Sequence, residues 1–431
     1  MKDNLVITFF YSGRLIDLRN LACYTNGSRI EICNGPSFFV HLLGGKDKCD
    51  FIFIRDNPMT ISDLDKLLKS DSLYDKVYCS IIYEHQLRGI LPFIKKNWVI
   101  GGSMAEFMDP NDYECEIWRG PFEFNLGTGL SSEFNMYFMD LIKYSNFSPK
   151  LVRFTCSMAG GGCYWNKCKF CYSHDYIKHF PSRDIPYIMD IIYSELKPYV
   201  DKYSFAIHTC KQALTKKDII DIVSNVREDV RGIRFDGYIR ADDFVLDAVE
   251  SLPSKKLDRF NFTIGIEAFS QRIIDIINKG FSLETGFKII EVLLRKGAFV
   301  LISIMSDYFF MDKDMFQECI SNINRLLDLV KRTRSLRFVI ADHRYISWPD
   351  DSLIREFGFD PVNVSNTNLV KRYTVDYSGK EENLVYNIVI KEFLKRTFGR
   401  MYLDANLVSS AASFSVGFDR RYKKLIEGFW R

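Results

Sequence analysis

Residues 151–171 read Leu151-Val152-Arg153-Phe154-Thr155-Cys156-Ser157-Met158-Ala159-Gly160-Gly161-Gly162-Cys163-Tyr164-Trp165-Asn166-Lys167-Cys168-Lys169-Phe170-Cys171. The stretch opens as an apolar run of strand size and passes into a glycine-rich loop that carries a tight cysteine triplet. Three thiolates on one loop can each hold one iron of a four-iron cluster and leave the fourth iron open to a chelating ligand. An electron carrier normally supplies four cysteines. The three glycines let such a loop fold tightly around an inorganic core, and their free N–H groups are expected to reach the cluster sulfides. Two other readings compete. Cys163, Cys168 and Cys171 with His174 would make a Cys3His zinc site. The C-x4-C-x2-C spacing also occurs in two-iron ferredoxins, which need a fourth cysteine further along.

Outward from this loop the chain alternates strand and helix. Toward the C-terminus, strands are predicted at 151–155, 203–207, 232–235, 260–266, 298–305 and 336–341. Helical segments at 184–199, 216–227, 244–251, 283–295 and 313–329 separate them. Six such units are three-quarters of a (β/α)8 barrel, a fold that takes about 250 residues and binds ligands at the C-terminal ends of its strands. The cysteine loop follows the first strand, on that face.

Toward the N-terminus, residues 5–10, 51–54, 77–82 and 98–100 are short β-branched or aromatic runs without polar alternation, as in strands covered on both faces. Helical spacing at 61–69 and 86–96 completes βαβ units and hence a parallel sheet. The last of these strands ends in Gly101-Gly102-Ser103, where the missing Cβ admits either a bulky ligand or a tight turn. The expected organisation is α/β throughout: a Rossmann-like parallel-sheet domain over 1–150, a partial (β/α)6 barrel over 151–341, and a small α/β extension over 342–431. The basic excess in 371–431 reads as a solvated surface or a face for an acidic partner.

With 431 residues, 47% hydrophobic, 26% charged and a formal net charge of +3, the chain is neither disordered nor strongly basic, so nucleic acid is unsupported as a partner. No apolar run approaches the ~18 residues of a membrane span, and the run at 5–10 is too short for a signal segment. A cytoplasmic protein with no membrane partner is expected. The cysteines outside the triplet are scattered, as buried small apolar side chains of a reducing compartment would be.

The triplet and its context resemble the radical S-adenosylmethionine (SAM) enzymes, in which three cysteines, most often C-x3-C-x2-C with an aromatic residue before the last, open a partial (β/α)6 barrel. Phe170 stands at the aromatic position, and the x4 spacing departs by one residue. Downstream, Tyr238-Ile239-Arg240-Ala241-Asp242 resembles the family's third-strand segment. Thr263-Ile264-Gly265-Ile266-Glu267 resembles its "GIE" strand, and Ile277-Asn278-Lys279-Gly280 its "KG" turn. The resemblance implies a [4Fe–4S] cluster on Cys163, Cys168 and Cys171. It also implies Phe170 against the adenine of SAM, Glu267 on its polar part, and Lys279 or Arg240 facing its carboxylate. A zwitterion does need an acceptor for its ammonium and a cation for its carboxylate.

A βαβ lobe ahead of such a barrel is similar to the cobalamin-dependent subgroup, with Gly101 and Gly102 at the position where the corrin is approached. No D-x-H-x-x-G occurs, so cobalamin would bind without a lower histidine ligand. His208, Cys210, Asp307 and Tyr308 would sit near the barrel mouth as candidate radical quenchers or proton acceptors, or as packing residues. The implied activity is reductive cleavage of SAM to a 5′-deoxyadenosyl radical. With cobalamin it leads to C-methylation of an unactivated carbon of a peptide or small molecule; without it, to cross-linking, rearrangement or sulfur insertion. An electron donor of flavodoxin or ferredoxin type is the implied partner. A non-catalytic iron–sulfur or zinc protein is the remaining alternative.

Overall fold

The computed structural model describes residues 3–14, 28–32, 49–57, 60–61, 73–81, 84–102, 105, 108–118, 151–156, 158–171, 184–209, 211–335, 337–343, 352–363, 373–377 and 381–404. Its N-terminal part is built on five parallel strands: β1 (Asn4–Arg14), β3 (Cys49–Asn57), β5 (Lys76–Ser80), β6 (Trp98–Gly101) and β7 (Glu116–Ile117). They lie in the order β3-β1-β5-β6-β7. The first strand is therefore central, as in the doubly wound 2-1-3-4-5 sheet, and the connections reverse between β1 and β5. Leu5, Ile7, Val77, Cys79, Trp98 and Ile100 are buried in this sheet.

A short strand, β2 (Ser28–Ile32), pairs antiparallel with β1 on one side and parallel with β8 (Leu151–Thr155) on the other. It carries the sheet onward into β9 (Ser204–His208), β10 (Ile233–Ile239), β11 (Phe260–Glu267), β12 (Phe299–Met305) and β13 (Phe338–His343), each parallel to the last. A further parallel strand, β16 (Tyr402–Asp404), extends the run from the C-terminal segment. Among the described residues these strands, with β4 (Thr60–Ile61) on β3, make one fourteen-stranded sheet. β14 (Asp360–Asn363) and β15 (Tyr373–Asp376) form a separate antiparallel pair.

Helices α1 (Glu84–Ile90), α2 (Ile185–Leu196), α3 (Lys216–Ser224), α4 (Asp243–Ser251), α5 (Gln271–Ile276), α6 (Leu283–Arg295), α7 (Lys313–Thr333), α8 (Ser352–Glu356) and α9 (Glu381–Phe398) fill the connections. The helix predicted over 86–96 ends at Ile90 and gives way to a 3-10 turn, Leu91–Phe93, where Pro92 offers no N–H to continue it. Pro198 does the same after α2. Ile61, read as the start of a helix, lies in β4 instead, and 62–69 fall outside the described residues. Among the described residues no helix is long and apolar enough to cross a membrane.

Period-two alternation gives the long sheet two different faces. Phe235, Phe260, Phe262, Ile264, Ile302 and Ile340 are buried toward the helices. Arg234, Asp236, Thr263 and Ser303 are half-buried and Tyr238 is exposed on the opposite face. Register places His208 beside Asp236, Tyr238 beside Thr263, and Gly265 beside Ser303. One face is thus an apolar core and the other a more polar surface.

Where the carboxyl ends of β12 and β13 meet the start of β16, one buried carboxylate ties three segments. Asp342, 0% exposed, accepts from Ser306 N at 3.1 Å, Ser306 Oγ at 2.7 Å and Tyr402 Oη at 2.6 Å. Asp342→Ala is expected to destabilise by about 2–4 kcal/mol, because the buried donors lose their acceptor. Asp342→Asn keeps an acceptor and should cost less. Chemical denaturation of both variants checks the order, and equal losses would discount the hydrogen bonds.

Candidate functional site

The cysteine loop leaves β8 through Gly160 and Gly162, whose φ values of 76° and 84° lie in the left-handed region that favours glycine. Cys168 is buried, Cys163 and Cys171 half-buried, and Cys171 N donates to Cys168 O at 3.1 Å across the turn between the last two cysteines. The expectation that the glycine N–H groups are free is corrected at Gly162, whose N donates to Gln212 Oε1 at 2.7 Å. Among the described residues no three His, Cys, Asp or Glu side chains converge as a single ion requires. Thiolates of a multi-iron cluster each hold a separate iron and need no such common point. His174 lies outside the described residues.

The extra residue of the C-x4-C spacing belongs to a segment that reaches across the sheet. Trp165 Nε1 donates to Asn278 O at 2.8 Å, Asn278 Nδ2 to Lys167 O at 2.9 Å, and Lys169 N to Ile277 O at 3.0 Å. Tyr164 Oη donates to Asp242 Oδ2 at 2.6 Å. Burial, reinforced by that carboxylate, pushes the Tyr164 phenol pKa up. The turn after α5 therefore grips the loop at Trp165, Lys167 and Lys169, as Gln212 does at Gly162.

Arg240, one residue past β10, lies between these partners. Its guanidinium is 4.9 Å from the Trp165 ring centroid and 5.8 Å from those of Tyr164 and Phe281. It donates to Asp242 Oδ2 at 3.2 Å, to Lys279 O, and toward Cys168 Sγ at 3.9 Å. Burial raises the Cys168 thiol pKa, while Lys279 and Arg240 work to lower it. Two cations thus face the buried sulfur, where thiolate and cluster would place negative charge.

Glu267 closes β11 at a bulge and takes φ 67°, a left-handed conformation costly for a residue with a Cβ. Its carboxylate accepts from Lys279 Nζ at 2.7 Å, and both residues are 8% exposed. A Cβ added at Gly265 would meet Glu267 Oε1 at 2.6 Å and Lys279 Nζ at 3.0 Å, so glycine makes room for the ion pair. Burial works to lower the Lys279 pKa, but Glu267 and the Cys168 thiolate outweigh it and hold the ammonium above its ordinary value. Lys279 Nζ also lies 5.4 Å from the Phe170 ring centroid. Cys168, Phe170, Arg240, Glu267 and Lys279 are therefore brought together, although they come from four separate segments of chain.

The remaining predicted residues are placed differently. His208, at the end of β9, has Nδ1 3.2 Å from Asp236 Oδ2 and its ring edge-on to Tyr238 at 5.3 Å. Asp307 is half-buried. Tyr308 is 1% exposed and packs 5.5 Å from Phe310, with its carbonyl accepting from Asn387 Nδ2 at 2.9 Å. Cys210 falls outside the described residues. Gly101 is buried at the end of β6. Gly102 has φ 93°, and a Cβ there would lie 2.4 Å from Ile81 O and 2.9 Å from Ser80 Oγ, so the adjoining strand end already demands glycine. Ser80 Oγ is itself buried without a hydrogen-bond partner, at the carboxyl end of β5 beside the topological reversal. A ligand in that crevice would find an unsatisfied hydroxyl, so the residues fit a cofactor that hydrogen-bonds there.

Gln212, Trp165 and Asp236 were given no role from the sequence, and Gly265 entered only as the glycine of the "GIE" segment. The only local signal for any of them is the glycine next to "IE"; the others depend on partners far along the chain.

No protein-family model matches the sequence, and no curated protein matches it. Solved structures do. The selenomethionine-labelled apo form of the cobalamin-dependent S-adenosylmethionine radical enzyme OxsB covers 100% of the chain at TM-score 0.60, over 70% of its own length. The aqua-cobalamin form covers 100% at TM-score 0.62, over 71% of its length. The form with aqua-cobalamin and S-adenosylmethionine covers 100% at TM-score 0.58, over 70% of its length. Sequence identity is 13% in each case. Along its whole length, the chain has the fold of a cobalamin-dependent radical SAM enzyme.

Proposed function

We propose that the chain is a radical SAM enzyme with its [4Fe–4S] cluster on Cys163, Cys168 and Cys171. The convergence of Phe170, Arg240, Glu267 and Lys279 on Cys168 carries this reading. When bound and reduced, the cluster supplies the electron that splits SAM into methionine and a 5′-deoxyadenosyl radical. Glu267 accepts the ammonium of SAM, and Lys279, with Arg240 beside it, faces the carboxylate. The ligand's zwitterion thus replaces an internal ion pair, and the buried site keeps its charge balance. Phe170 lies against the adenine. The polar surface around His208, Asp236 and Tyr238 receives the substrate.

Bound cobalamin, at the carboxyl ends of β5 and β6 beside Ser80, Gly101 and Gly102, would supply a carrier for the methyl group of a second SAM. On that footing the reaction is C-methylation of an unactivated carbon of a peptide or small molecule, with a flavodoxin- or ferredoxin-type donor as reductant. One observation favours a second reading without corrin: Gly102 is accounted for by Ile81 and Ser80 alone. Anaerobic reconstitution followed by dithionite and SAM tests both. Cluster absorption and 5′-deoxyadenosine are expected, with corrin bands on adding cobalamin. An intact cluster yielding no 5′-deoxyadenosine would sink the enzyme reading, and failure to retain corrin would select the second.

A further inference from the structure

We infer that Gln212 is a positioning residue for the cysteine loop: it holds the Gly162 N–H away from the iron–sulfur cluster and so keeps the cluster's reduction potential low. The inference rests on the cluster-binding reading above. Gly162 immediately precedes Cys163, is buried, and turns through a left-handed φ of 84°. An N–H at that position is a natural donor to a cluster sulfide or ligand thiolate. Hydrogen bonds to these sulfurs stabilise the more negative, reduced state and raise the potential. Here the donor is already taken, at 2.7 Å, by Gln212 Oε1.

The acceptor is firmly mounted. The turn between β9 and α3 is fixed by Thr209 N to Asp236 O at 2.9 Å and by Leu214 N to Tyr238 O at 2.9 Å. Between these points Lys211 Nζ pairs with Asp218 Oδ2 at 2.7 Å, with side chains 9% and 1% exposed. Asp218 closes a capping box with Thr215 at the start of α3. Shifting Gln212 would disturb a buried ion pair and a helix cap together, so the amide stays in place. A neutral side chain also suits the position, because a carboxylate beside an anionic cluster would add like-charge repulsion. Arg240, which approaches Cys168 Sγ at 3.9 Å, and Lys279 act on that sulfur in the opposite sense. The potential is thus set between two cations that raise it and one amide that withholds a donor.

The couple is a one-electron reduction, [4Fe–4S]2+ to [4Fe–4S]+, with dithionite as the reductant. Full-length wild type, Gln212→Ala and Gln212→Glu are reconstituted anaerobically, assayed for iron and sulfide, and titrated with mediators while the reduced-cluster EPR signal is followed. Gln212→Ala is expected to raise the reduced-to-oxidised ratio at fixed poise about tenfold, roughly 59 mV for one electron. Gln212→Glu retains the acceptor and adds a negative charge, so its midpoint falls at or below wild type. In the apo proteins the Gly162 amide should lose hydrogen-exchange protection in Gln212→Ala and keep it in Gln212→Glu. An unchanged or lowered midpoint in Gln212→Ala at full iron content overturns the inference alone. So does iron loss without the ordered midpoints, which would mark a purely structural role. A wild type that takes up no cluster removes the functional reading itself, and the inference with it.

Discussion

Glu267→Gln is expected to abolish SAM binding and to destabilise the fold by about 3–5 kcal/mol, because removing one partner of a buried ion pair leaves the other charge uncompensated. The pair is close, at 2.7 Å, and both residues are nearly sequestered. In the wild type the Lys279 pKa is held above its ordinary value, burial notwithstanding. Stability from that shift is complete below the unfolded lysine pKa of about 10.4 and fades as pH rises through the folded value. Without the Glu267 charge, burial dominates and the folded pKa of Lys279 drops below the unfolded one. The variant then gains stability as pH rises toward 10, while the wild type holds or loses it. Cys168 and Arg240 also face Lys279 and are common to both proteins. Urea denaturation at pH 7 and pH 10 should therefore show the stability gap narrowing. A gap of equal size at both pH values would mean that Lys279 does not depend on Glu267 for its charge.

The legible part of this site was its spine. The cysteine triplet was legible from its spacing on a loop after a strand, whereas Arg240, Glu267 and Lys279 were legible only through the resemblance of their short segments to the radical SAM pattern. What escaped was contact across distance. Trp165 meets Asn278 and Gly280, and Gln212 meets Gly162, through side chains that carry no local pattern. The same limit hid β2. Ser28–Ile32 is a short run with no strong periodicity, and its role in joining the two parts of the sheet depends on pairing with Leu151–Thr155 far downstream. Tyr308 was placed by its position after a strand, but its burial and the hydrogen bond to its carbonyl depend on Asn387 of α9, 79 residues downstream. A polar or aromatic residue just past a strand end has two directions open to it. Tertiary packing, not sequence, chooses between them.

The x4 spacing gains a physical reason from the same contacts, and Gly280→Ala tests it. Gly280 has φ 69°, and a Cβ there would lie 1.9 Å from Trp165 Cζ2 and 2.2 Å from Cη2. The indole has little freedom to yield, since Nε1 is bonded to Asn278 O and the Arg240 guanidinium lies 4.9 Å from the ring. Alanine therefore adds left-handed strain of about 1–2 kcal/mol to an overpacking cost of about 1–3 kcal/mol. The Trp165 indole must leave its seat, and it carries with it the segment between Cys163 and Cys168. Reconstituted iron content is expected to fall well below wild type in Gly280→Ala. Trp165→Ala removes the obstructing ring, so the double variant should be clearly more stable than the sum of the two single losses, by about the overpacking cost. Strict additivity in denaturation would show that Trp165 and Gly280 do not share this contact. A double variant that regains stability while iron uptake stays low would identify Trp165 as the element that seats the cysteine loop.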